Sequence, residues 1–172
     1  MQNADLWQKC VDFHGHSCGG LAIGFRAALY ARKLLDIDFS EDEQIVCITE
    51  NDACGVDAIS VILGCSVGKG NLLFRIRGKQ AFSFYNRLNG RSFRLLLKEQ
   101  PDSKKDKADK LEYMLNAPDE QLFAVTEVIQ PLPPEAQIYG SKPCDECGEM
   151  TAECFLRDKN GKMLCADCYD KA

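Results

Sequence analysis

The strongest chemical pattern in the 172-residue sequence is a pair of CxxC motifs, Cys144/Cys147 and Cys165/Cys168, separated by seventeen residues. Four thiolates at this spacing are typical of a tetrahedral zinc site, because two intervening residues let a tight turn aim both sulfurs at one ion. Because residues 144–172 are too few to bury much apolar surface, we expect zinc to supply most of the stability of this segment. The alternatives for this spacing are two disulfides or a redox CxxC pair.

A second group of potential metal ligands lies near the N-terminus. Both histidines of the chain, His14 and His16, lie within five residues of Cys18, in a glycine-bearing segment directly before a predicted helix. Imidazole nitrogen and thiolate sulfur are preferred donors for zinc and several other transition metals. Free N–H groups at the helix start would also stabilise a thiolate at Cys18. We predict that His16 and Cys18 are metal ligands and catalytic groups, and that His14 is a ligand or supports one.

Cys54 repeats this arrangement at a second break, after a predicted strand and before a predicted helix, and Asp57 follows three residues later. We predict that the two breaks meet and form one pocket lined by His16, Cys18, Cys54 and Asp57, with Cys54 as a further metal ligand. A second transition metal is the expected cofactor. Two chemistries stay open: metal-assisted activation of a carbonyl or water, with Asp57 or a histidine moving the proton, and nucleophilic chemistry at Cys18 or Cys54.

The glycine-rich segment Gly64–Asn71 is not a Walker motif, because Gly70 follows Lys69 where Ser or Thr is required. Lys69 could still reach an anionic ligand, and we predict it as a cofactor-binding residue. Three cysteines lie in apolar patterns and are predicted to be small core residues: Cys10, Cys47 and Cys65. Cys154, outside the CxxC pairs, is expected to be a spare buried thiol.

The composition limits the classes of partner. The net charge is −5 and the pI about 5.1, and from Ser141 onward there are five Lys or Arg residues against seven Asp or Glu residues. Phosphate binding depends on Lys and Arg contacts, so we do not expect a nucleic-acid partner. No run approaches the roughly 18 apolar residues of a membrane span, and the start lacks a leader pattern. We therefore expect a cytoplasmic protein without a membrane partner.

The elements that must position these residues belong to a predicted α+β domain over residues 1–130, in which a mixed or antiparallel sheet packs with helices. The periodicity predicts helices over 5–13, 21–35, 56–63 and 103–116 and strands over 44–50, 72–76, 82–87, 92–98 and 123–129. Asn89–Gly90 suits the turn of a hairpin. Four of the six prolines lie in residues 130–143, which predicts an extended linker over 131–143 before a zinc finger over 144–172.

Three ordered motifs resemble the formylmethanofuran dehydrogenase family of E-type subunits. They are Phe13–Gly20 (FHGHSCGG), Glu50–Cys54 followed by Asp57–Ile59, and Leu63–Leu72 (LGCSVGKGNL). The resemblance covers most of residues 1–130. Gly19 stands where relatives have a proline, which should leave the helix start looser. Ala53 stands where a basic residue is common, so a charge-based role is not expected there.

The resemblance implies an α+β domain that forms a homodimer, a Cys and His pocket near the dimer or domain junction, and an appended zinc finger of the treble-clef or ribbon kind. It further implies an accessory or small-molecule enzyme of one-carbon or molybdenum-linked redox metabolism. The family takes its name from an enzyme system that reduces carbon dioxide onto methanofuran at a molybdenum or tungsten centre. The competing interpretation is a non-enzymatic adaptor whose zinc finger docks a protein partner.

Overall fold

The structure is a computed structural model that describes residues 2–98 and 106–171. The chain divides into two compact units, with the boundary between Glu135 and Ala136. The first unit combines helices with a mixed sheet, which confirms the predicted α+β class. No helix within the described residues is long and apolar enough to cross a bilayer.

The first unit has five helices and five strands in an interleaved order. The helices are α1 (Gln2–His14), α2 (Gly19–Leu35), α3 (Gly55–Leu63), α4 (Lys107–Asn116) and α5 (Asp119–Leu122). The strands are β1 (Ile45–Thr49), β2 (Leu72–Phe74), β3 (Ala81–Asn86), β4 (Ser92–Leu97) and β5 (Phe123–Thr126). Each element was predicted except α5, a single turn. The start predicted for α4 at Ser103 lies outside the described residues, and Asp106 caps the helix by accepting from the Asp109 N–H at 2.8 Å.

The five strands form one sheet in the order β2-β1-β3-β4-β5. β1 and β2 are parallel and α3 connects them, whereas the other neighbouring strands are antiparallel. The predicted hairpin is confirmed, because β3 and β4 pair across a turn in which Gly90 has a φ of 74°. A left-handed φ of this kind favours glycine. The parallel pair puts the C-terminal end of β1 and the N-terminus of α3 at the same edge of the sheet.

The core lies between the sheet and the helices α1, α2 and α3. Leu21, Ala28 and Ala31 of α2 and Ile59 and Leu63 of α3 are fully buried in one apolar cluster. Their burial explains why α2 is apolar on most sides. Cys10, Cys47 and Cys65 are also fully buried, as predicted.

The proline-rich segment has different local structures along its length. Arg87 donates to the carbonyls of Pro133 and Pro134 at 2.9 and 3.0 Å, and the Tyr85 hydroxyl donates to the Gln130 carbonyl at 2.8 Å. These contacts hold its first part against the first unit. Its last three residues, Ser141–Pro143, form a strand of the second unit.

The second unit consists of two short hairpins and a helix. Its elements are β6 (Ser141–Pro143), β7 (Met150–Ala152), a 3-10 turn (Glu153–Phe155), β8 (Arg157–Lys159), β9 (Lys162–Leu164) and α6 (Ala166–Lys171). β6 pairs with β7 and β8 with β9, both antiparallel. Cys154 lies in the 3-10 turn and is exposed, so the prediction of a buried thiol was wrong. A unit this small has few interior positions, and Cys144, Cys165, Leu156 and Leu164 occupy them.

Candidate functional site

The starts of α2 and α3 approach each other because glycines line their contact. A Cβ placed on Gly24 would lie 2.0 Å from the carbonyl oxygen of Gly55, and one on Gly55 would lie 3.0 Å from the carbonyl oxygen of Gly20. Any side chain at Gly24 would therefore force the helices apart. This close packing brings the segment before α2, with Cys18, against the segment before α3, with Cys54.

Cys18 is the N-cap of α2. Its backbone is extended, and its Sγ accepts the Leu21 N–H at 3.3 Å. A sulfur in this position satisfies one of the free N–H groups of the helix. Cys54 precedes α3 without such a bond.

The sulfurs of Cys18 and Cys54 both lie close to Gly20. A Cβ on that glycine would be 3.5 Å from Cys54 Sγ and 3.9 Å from Cys18 Sγ. Burial, a hydrogen bond with the Cys18 thiol and the charge of Cys18 raise the pKa of the Cys54 thiol above its ordinary value. Two thiolates this close repel each other, so the pair favours either one proton or a cation.

His14, at the end of α1, connects the two segments. Its Nδ1 lies 2.7 Å from Asp57 Oδ2 on α3, and its Nε2 lies 4.0 Å from Cys18 Sγ. The His16 ring is tilted against His14, with 4.5 Å between the centroids. The side-chain ligand atoms of His14, His16 and Cys18 all lie within 4.8 Å of one another.

The donor geometry fits a transition metal. At the usual bond lengths of about 2.0 Å to nitrogen and 2.3 Å to sulfur, a tetrahedral zinc would separate the two ligand atoms by about 3.6 Å, close to the distance between His14 Nε2 and Cys18 Sγ. Asp57 lies at Nδ1, so Nε2 is the ring nitrogen that faces the sulfur. A carboxylate bound to the other ring nitrogen is the usual partner of a metal-bound histidine.

A buried polar turn between β1 and α3 supports Cys54 and was not predicted. Thr49 Oγ1 donates to the Asn51 carbonyl at 2.7 Å, and Asn51 Oδ1 accepts the Ala53 N–H at 3.2 Å. Asn51 Nδ2 also donates to the Lys79 carbonyl at 2.9 Å. The sequence contains a partial signal for this turn, because Asn favours local bonds to its own backbone.

Glu50 forms a buried ion pair at the same turn. It accepts two hydrogen bonds from Arg94 of β4, at 2.6 and 3.0 Å, and both side chains are less than a tenth exposed. The bond from Arg94 is the main cause that lowers the pKa of the Glu50 carboxyl. The partners are separated by 44 residues, so no sequence spacing links them. The pair joins the residue that follows β1 to β4, across the central strand β3.

Lys69 makes contacts of a different kind from those predicted. Its Nζ donates to the carbonyls of Ser40 and Glu41 at 2.8 and 3.3 Å and lies 5.8 Å from the centroid of the Phe39 ring. These bonds join the glycine-rich loop to the segment before β1. Anion binding by Lys69 therefore stays a prediction.

The four cysteines of the second unit form a separate cluster whose sulfurs all lie within 4.8 Å of one another. Cys144 and Cys147 come from the turn between β6 and β7, whereas Cys165 and Cys168 lie at the start of α6. Backbone N–H groups of Cys147, Cys165 and Glu146 lower the pKa of the Cys144 thiol to about 6. A turn and a helix start, joined by a hairpin, fit a treble-clef zinc site. The cluster can hold a metal ion.

The fold and the two cysteine-rich clusters define an α+β protein with a small C-terminal metal-site unit. The family described as "FmdE, Molybdenum formylmethanofuran dehydrogenase operon" matches residues 13–124. The chain belongs to this family, which confirms the resemblance drawn from the sequence motifs.

A solved structure extends the fold comparison over the second unit. The chain is similar to an FmdE-like protein, of the tungsten formylmethanofuran dehydrogenase type, from Syntrophus aciditrophicus. The TM-score is 0.70, with 22% identity over 99% of this chain and 93% of that one.

The chain is also 26% identical, over 95% of its length, to a protein of Archaeoglobus fulgidus described as a probable S-adenosyl-L-methionine-binding protein. It spans 53% of that relative.

Proposed function

We propose that this protein binds a transition metal through His14, His16 and Cys18, with Cys54 as the adjacent fourth donor, and acts as an accessory protein or small-molecule enzyme of one-carbon or molybdenum-linked redox metabolism. The convergence of His14, His16 and Cys18 carries the proposal. Membership of the FmdE family supports the metabolic setting. The four cysteines of the second unit hold a structural zinc.

The residues around the site have separate tasks. Asp57 fixes the ring of His14 through the 2.7 Å contact with Nδ1 and so keeps Nε2 available as a donor. The Leu21 N–H, 3.3 Å from Cys18 Sγ, orients that sulfur at the start of α2. His16 is exposed and can exchange protons with a ligand arriving from solvent. A metal held here would supply Lewis acidity, and it would have an open coordination position for a ligand when Cys54 is not bound to it.

Metal analysis of site variants tests the proposal. Wild-type protein should contain one equivalent more metal than a His16→Ala/Cys18→Ser variant, whereas Cys144→Ser should lose only the metal of the second unit. Cys154→Ser is the control, because Cys154 is an exposed cysteine outside both clusters. Unchanged metal content in the double variant would refute the N-terminal site.

A small-molecule ligand can be sought at the same site. The description of the archaeal relative makes S-adenosyl-L-methionine one ligand to test, together with small carbonyl compounds. Calorimetric titration of the metal-loaded protein should show binding that His16→Ala weakens. Titration into the metal-free protein separates binding at the metal from binding elsewhere.

The adaptor function is the second candidate, and the surface of the second unit favours it. Met150 and Phe155 are each about two-thirds exposed, and Ile138 is fully exposed. Exposed apolar side chains of this kind are frequent at protein interfaces. An adaptor requires only the metal of the second unit, so a protein with that single metal per chain would favour it.

A further inference from the structure

We infer that Cys18 and Cys54 form a reversible disulfide that excludes metal from the N-terminal site, so that this site is gated by oxidation. The inference rests on the proposed function, because it consumes two of the proposed donors. It adds a property that metal binding alone does not require.

The two thiols are placed for direct reaction. Their sulfurs both lie near the position that a Cβ on Gly20 would occupy, at 3.5 Å for Cys54 and 3.9 Å for Cys18, and Gly20 has no side chain to fill that space. Both cysteines are half-buried and therefore accessible to a small oxidant. They lie on segments that precede different helices, so the disulfide would link the starts of α2 and α3.

Other thiols of the first unit are protected. Cys10, Cys47 and Cys65 are fully buried, which denies access to an oxidant from solvent. Oxidation of the described first unit should therefore be selective for Cys18 and Cys54.

The helix start determines the order of the steps. Cys18 Sγ is held in place by the Leu21 N–H at 3.3 Å, whereas Cys54 has no capping bond, so Cys18 attacks first. It attacks one sulfur of a low-molecular-weight disulfide such as glutathione disulfide, whose S–S bond breaks and releases one thiolate. Cys54 then loses its proton and attacks Cys18 Sγ, which expels the second thiolate. The two cysteines lose two electrons, and the oxidant gains them as two free thiols.

The disulfide removes both sulfur donors at once. A disulfide sulfur carries no negative charge, and a metal site needs deprotonated thiolates. His14 and His16 alone offer two nitrogens, too few for a tetrahedral site. Oxidation therefore releases the metal, and reduction restores the site.

The test oxidises the full-length protein with glutathione disulfide, with and without added zinc, and locates modified cysteines by differential alkylation and mass spectrometry. We expect a Cys18–Cys54 link, slower formation when zinc is present, and loss of one equivalent of metal that a reductant restores. Metal loss is assigned to this site only in samples whose C-terminal cysteines stay reduced. Cys54→Ser should stop at a glutathione adduct on Cys18, and Cys154→Ser should behave like wild type.

Two results would overturn the inference. One is the persistence of free Cys18 and Cys54 under oxidation, and the other is a cross-linked protein that keeps its N-terminal metal. Failure of the proposed metal site gives a different result from failure of the disulfide. If the metal site is absent, the fully reduced protein contains no N-terminal metal. That result would remove the gating as well, even if the cross-link formed.

Discussion

Single contacts decide which atoms of the N-terminal cluster can act as donors. Asp57 lies beside Nδ1 of His14, so Nε2 is the ring nitrogen that faces Cys18, and the Leu21 N–H holds Cys18 Sγ at the start of α2. Neither contact adds a ligand. Both contacts lower the free-energy cost of holding the potential donor atoms in place for a metal.

Replacement of Asp57 by asparagine tests this positioning role. Asp57→Asn keeps the size but removes the charge, so the affinity of the N-terminal metal should fall about tenfold to a hundredfold. The four-cysteine site of the second unit is first saturated with zinc. Competition with a chromophoric chelator then measures the metal affinity of the N-terminal site. Asp52→Asn makes the same charge change at an exposed residue of the neighbouring turn and should leave affinity unaltered. If both variants lowered metal affinity equally, the cause would be the change in net charge and not the contact with His14.

At the scale of elements, the site depends on how closely α2 and α3 pack. Their contact has no room for a side chain at Gly24, and each helix start carries one of the two sulfurs. Separation of the helices would therefore separate the donors. The site is a property of the helix pair as much as of its cysteines and histidines.

A single methyl group should disturb both stability and metal binding. Gly24→Ala would place its Cβ against the backbone of Gly55, and overpacking of this kind costs about 1–3 kcal/mol. We expect a lower urea midpoint and weaker N-terminal metal binding. Gly19→Ala lies on the same helix where a Cβ meets no atom within 4 Å, so it should be neutral or slightly stabilising. A neutral Gly24→Ala would contradict the close helix contact.

At the scale of the whole molecule, ion pairs and separate cores hold distant segments together. The Glu50–Arg94 pair joins β1 to β4 inside the first unit. The second unit has an apolar cluster of its own around Cys144, Leu164 and Cys165. Each unit therefore has its own source of stability.

Glu50 makes stability depend on pH. The pKa of its carboxyl is lowered from an ordinary value of 4.5, so its contribution is complete above about pH 4.5 and is lost as the pH falls through the lower folded value. Glu50→Gln leaves the Arg94 charge buried without a charged partner and should cost about 3–5 kcal/mol at neutral pH. The free energy of unfolding, measured with urea, should also fall less steeply at acid pH in this variant than in wild type.

The control for this prediction is an exposed pair. Asp36 and Arg91 lie 3.6 Å apart with exposed side chains, and such pairs contribute about 0–1 kcal/mol. Asp36→Asn should shift stability by at most that amount. If Glu50→Gln and Asp36→Asn lowered the free energy of unfolding by similar amounts, burial would not increase the contribution of the Glu50–Arg94 pair to stability.

Removal of the C-terminal metal should unfold the second unit alone. Cys144→Ser breaks the four-cysteine cluster, and a unit of this size depends on its metal for folding. Limited proteolysis should then cut after residue 136 faster than in wild type, while the main thermal transition of the first unit stays in place. Loss of that transition would show that the two units are not independent.

The sequence by itself determined the chemistry and the local elements. The CxxC spacing, the placement of both histidines beside Cys18, the apolar pattern of α2 and the Asn89–Gly90 turn are local signals, because their physical causes act within a few residues. The family motifs belong to the same kind of information. Together these signals predicted the fold class, the candidate donors and a meeting of the two breaks, but not the contacts through which the breaks meet.

The tertiary structure decided which of those residues come together. The glycine contact between α2 and α3, the contact of His14 with Asp57 and the Glu50–Arg94 pair each join segments that are far apart in the chain. Their energies depend on distance and burial in space, which periodicity and spacing do not encode. For the same reason the carbonyl contacts of Lys69 and the exposure of Cys154 became apparent only in the folded chain.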